Sequence, residues 1–183
     1  MTFAEATGAL AAGVARIKAA DPGFDVRDFE RSAGLTMLAV GRAWQDGDRE
    51  GAKPLMTPGL HREWSAKIRL LADSGQRSIM SGSRIDSAEL VKAGSGAGFD
   101  ELTVRIGFTC VHYEVDARTE RLLSGSRDPV SLTEYWTFRR RTGAATTPAR
   151  RIPADAPGDD ELRAAVNAGW ALARMEREAD YRG

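Results

Sequence analysis

Glu101-Leu102-Thr103-Val104-Arg105-Ile106-Gly107-Phe108-Thr109-Cys110 alternates apolar with polar or small side chains without a break. A period of two puts Leu102, Val104, Ile106, Phe108 and Cys110 on one face of an extended strand. A sheet with one greasy face needs a second layer to cover it. Past Cys110 the apolar phase slips to Val111, Tyr113 and Val115. That slip predicts a bulge near Gly107 to Cys110, or a strand that crosses from one environment to another. Two further strands are expected, Ser83 to Lys92 and Val130 to Arg141. Gly94 to Gly98 reads as a flexible connection, and Asp116 to Pro129 as a longer hairpin loop.

The covering layer lies upstream. Phe3, Ala6, Leu10, Val14 and Ile17 recur at helical steps, and Asp21-Pro22-Gly23 stops that helix. Gly8 and Gly13 each weaken it by about 1 kcal/mol relative to alanine, so it needs packing. Asp25 caps a second helix with Phe29, Ala33, Met37, Val40 and Trp44 on one stripe. A short helix fits Glu50 to Leu55. Thr57-Pro58 opens another, whose apolar face is Leu60, Trp64, Ile68 and Leu71, and Gly75 closes it. Residues 142–169 form an irregular insertion, with a short helix expected from Asp159 to Val166. Trp170 to Met175 reads as either helix or strand. Helices followed by long strands make an α+β fold: N-terminal helices on a curved antiparallel sheet of about four strands. Such a curl leaves a cone-shaped pocket between sheet and helices.

Composition narrows the function. The 183 residues fit one domain, read as an amphipathic helix over 1–20 and the α+β domain over 21–183. Lys+Arg and Asp+Glu both number 26, so the zero net charge argues against non-specific nucleic-acid binding. A single cysteine, Cys110, excludes an internal disulfide and a cysteine-rich zinc site. No apolar run approaches the ~20 residues that span a bilayer. Met1 to Glu5 has no basic, apolar secretory start. The expectation is a soluble, cytoplasmic protein, with peripheral contact at the inner membrane as the variant.

Several segments, taken in order, resemble one family. They are Asp21-Pro22-Gly23-Phe24-Asp25, Ala43-Trp44-Gln45-Asp46-Gly47-Asp48, Met56-Thr57-Pro58-Gly59-Leu60, Glu134-Tyr135-Trp136-Thr137-Phe138-Arg139-Arg140 and Trp170 to Glu176. Together they look like the Tim44-like domain, and Glu134 to Arg139 is the most specific part. The resemblance spans Ile17 to Glu176. It implies a cone related to nuclear transport factor two with a large apolar pocket. It also implies a binding role at a membrane or in a protein complex, without enzymatic activity, and makes Trp170 to Arg174 the last strand. Phe3 to Ala20 carries only Arg16 and Lys18 as cations, fewer than an interfacial membrane helix usually shows.

Candidate site residues follow. Trp64, Ile68, Phe108, Trp136 and Phe138 are the expected pocket walls for an apolar ligand, peptide or protein partner. Arg139, Arg140, Arg141, Arg150 and Arg151 form the one dense basic cluster, a solvated surface or a patch for anionic lipid. His112 and Glu134 are the only pair suited to acid–base work, as in cone-shaped isomerases and dehydratases; the plain alternative pairs Glu134 with Arg105 or Arg139. His61 reads as solvent-facing and Cys110 as a buried small apolar residue. No spacing suggests a metal, a phosphate loop or another cofactor. A homodimer through the exposed sheet face is the third reading.

Overall fold

The computed structural model describes residues 3–146 and 169–182. Within them four α-helices precede or flank a single four-stranded antiparallel sheet of order β1-β2-β3-β4. The helices are α1 (Phe3–Ala20), α2 (Val26–Asp46), α3 (Arg49–Ala52) and α4 (Pro58–Asp73), with a 3-10 turn at Lys53–Leu55 between the last two. The strands are β1 (Gln76–Gly96), β2 (Phe99–Asp116), β3 (Leu122–Arg141) and β4 (Ala171–Arg177). The α+β expectation holds, and Trp170 leads into a strand. Arg150, Arg151 and the expected Asp159–Val166 helix lie outside the described residues.

The helices begin where capping chemistry says they should. Asp25 accepts the Asp28 amide at 3.0 Å, and Gly47 ends α2 at φ 67°, the left-handed region glycine tolerates. Phe29, Ala33, Met37, Val40 and Ala43 then bury one stripe of α2 against the sheet. Gly13 has a different purpose from the one its helix propensity suggests. A Cβ there would stand 2.2 Å from the Ala93 carbonyl oxygen, so only glycine lets α1 lie this close to β1.

All three long strands exceed their sequence limits, and β1 and β3 carry bulges that break their alternation. The inward residues of β2, Leu102 to Cys110, are at most 1% exposed. Facing Leu102, Val104, Ile106, Phe108 and His112 across β1 are Ala93, Leu90, Ala88, Ile85 and Met80. Those positions step by three, two, three and five residues, so β1 never shows a steady period. Register shifts fall at Ser81/Arg84, Ile85/Ser87 and Leu90/Lys92. Each adds an unpaired residue and sharpens the curl over the helices. The Leu90 amide at one of these shifts donates to Glu30 of α2 at 2.8 Å, which satisfies a buried group near the bulge.

Of the two expectations for the phase slip, the bulge within β2 is corrected. Between Cys110 and His112 the extra residues lie in β3, from Ser126 to Val130, and the neighbouring shift on the other side lies in β1. β2 stays regular, so His112 keeps the inward phase of Cys110. Val111, Tyr113 and Val115 belong to the outer face, which turns apolar at this end; Arg127 lies over the Tyr113 ring at 4.7 Å. The loop after β2 is also shorter than expected, because β3 already begins at Leu122.

Candidate functional site

α2 and α4 both end beside the start of β1, and a half-open cleft of about 190 Å³ lies between them. Trp44, Ile68, Leu71 and Ala72 supply its apolar wall, and Gln76, Arg77 and Ser78 its strand side. Trp44 and Ile68 pack on the edge of the core, and they and Leu71 are only partly buried, so the last apolar residues of both helical stripes are partly uncovered. Trp64 backs Trp44 edge-on, with ring centroids 5.7 Å apart, which fixes the orientation of the half-buried indole. The rim is tied down. Ala117 donates its amide to the Gly75 carbonyl at 2.8 Å, and Arg77 pairs with Glu120 at 2.6 Å. Hydrogen bonds from the Thr119 side chain and amide hold the Asp116 carboxyl below its ordinary range and close the β2–β3 turn.

The expected pocket walls divide. Ile68 lines the cleft and Trp64 stands directly behind it. Phe108, Trp136 and Phe138 are 1–3% exposed and belong to the core, Phe138 meeting Phe29 edge-on at 5.5 Å. The α2 stripe occupies the concave face where those three would have lined a pocket. Trp44 and Leu71 were legible only as apolar-stripe residues. Their place at helix ends was the available signal, but which ends stay uncovered depends on packing.

The acid–base pair is not assembled. Both side chains face inward, but Glu134 sits opposite Ile106 while His112 is six residues further along β2, roughly 20 Å of extended chain. Glu134 accepts the Trp136 indole N–H at 2.8 Å. Its expected arginine partners are engaged elsewhere, Arg139 with Glu101 and Arg105 with Glu178. The His112 Nε2 lies 3.4 Å from the Ser78 hydroxyl. Burial first, and the Glu134 charge second, push the Cys110 thiol above its ordinary pKa, a setting that suppresses thiolate chemistry. His61 is half-buried rather than solvent-facing: its Nε2–H donates to the Arg49 carbonyl at 2.8 Å and joins α4 to α3. Among the described residues no group of three His, Cys, Asp or Glu side chains could hold a metal ion.

The basic cluster also comes apart, because neighbouring strand residues point to opposite faces. Arg139 faces outward, paired with Glu101 at 2.8 Å, and Arg141 is exposed. Arg140 turns inward, its side chain 1% exposed. It donates to Asp21 at 2.8 Å, lies 3.6 Å from Asp100 and covers the Trp170 ring at 4.4 Å. Asp21 also accepts the amide and hydroxyl of Thr146, and Asp100 accepts Ser95 and Thr142. Burial alone would raise the Asp21 carboxyl; the bonds from Thr146 and Arg140 outweigh it and hold the pKa low. Arg140 is thus a structural tie between the α1–α2 link, the sheet and the start of β4.

Comparison with known proteins agrees with this architecture. The intermembrane-space region of the chloroplast protein ARC6 superposes with a TM-score of 0.50 at 10% identity, covering 84% of this chain and 96% of that one. At that identity the likeness is one of fold. No curated protein has significant sequence similarity to the chain. A family profile described as the Tim44-like domain matches residues 10–152, from within α1 to beyond the end of β3. Since that match takes in most of the 183 residues, the chain belongs to the Tim44-like domain family.

Proposed function

We propose that this chain is a non-enzymatic interaction module that holds a segment of a partner protein in the cleft between α2, α4 and β1. The volume of that cleft carries the reading. At about 190 Å³ it lies below the roughly 300–1,000 Å³ of small-molecule sites. It suits one or two anchoring side chains better than a whole metabolite or acyl chain. Its wall offers a half-buried tryptophan braced by a second, the kind of rigid aromatic surface on which binding energy concentrates. The separation of His112 from Glu134 weighs against the isomerase-like alternative. The family resemblance adds a membrane-peripheral setting reached through the partner, and no described helix is long and apolar enough to cross a membrane.

Peptide display on the wild-type protein tests this, with Ile68→Arg and Leu71→Arg as comparison proteins. Selected peptides are expected to carry an apolar anchor and to bind the variants more weakly by roughly tenfold or more. Peptides that bind wild type and variants alike would remove the cleft from consideration.

A further inference from the structure

No further inference is drawn: the strongest candidate, the edge of β3 from Leu122 to Leu132, which β4 does not reach and which bears the exposed side chains of Leu122 and Leu123, carries nothing because nothing in the structure shows what covers it.

Discussion

The two ends of α2 follow opposite rules. At the Val26 end, Phe24, Phe29 and Trp170 pack ring against ring, and the buried Arg140 ties two aspartates together beside them. At the Asp46 end, about 30 Å away by helix length, Trp44 stands half-covered over an open cleft. One end buries even its charges, and the other leaves apolar surface uncovered. The difference separates a structural tie, in which charges are paired inside the fold, from a cleft that the fold leaves partly open, the one proposed above to take a partner.

Breaking the closed end should give the largest effect. Arg140→Met leaves Asp21 and Asp100 buried without their cation, and a loss of about 3–5 kcal/mol is expected from urea unfolding. Next is Gly13→Ala, which drives a Cβ into the Ala93 carbonyl. Overpacking should lower stability by about 1–3 kcal/mol, with faster amide exchange in α1.

A gentler probe is pH. The folded-state pKa of Asp21 is lowered, so its contribution is complete above the ordinary carboxylate value and fades as pH falls through the folded one. Wild type should lose stability below about pH 4. Asp21→Asn should show a shallower acid limb in denaturation curves taken from neutral pH downward. An unchanged limb would mean that Asp21 and Arg140 are not coupled.

The smallest stability effect belongs to the open end. Ile68→Asn, at a residue partly buried against the core, should lower unfolding free energy by about 1 kcal/mol and weaken capture of displayed peptides. A large loss of stability there, matching that of Arg140→Met, would erase the contrast between the two ends.

Much of this architecture was legible in the chain. Asp25, Thr57-Pro58 and Gly47 mark helix limits because capping is a local event. Leu102 to Cys110 shows its inward face because β2 is paired on both sides and carries no extra residue. β1 concealed its pattern, since three register shifts reset which side chains face inward, and bulges depend on the neighbouring strand. The same limit hid the site. Arg139-Arg140-Arg141 looks like a patch in one dimension, yet strand alternation separates its members. Trp64, Phe108, Trp136 and Phe138 look alike as apolar residues, and only the placement of α2 makes them core.

The chain by itself determined where the long helices lie and are capped, that Leu102 to Cys110 is a strand and that the sheet needs an apolar cover, because these follow from contacts close in sequence. Tertiary packing alone decided how closely α1 approaches β1, which arginine is buried and which helix ends stay uncovered. Those outcomes depend on residues such as Asp21 and Arg140, far apart along the chain, competing for the same space and the same hydrogen bonds.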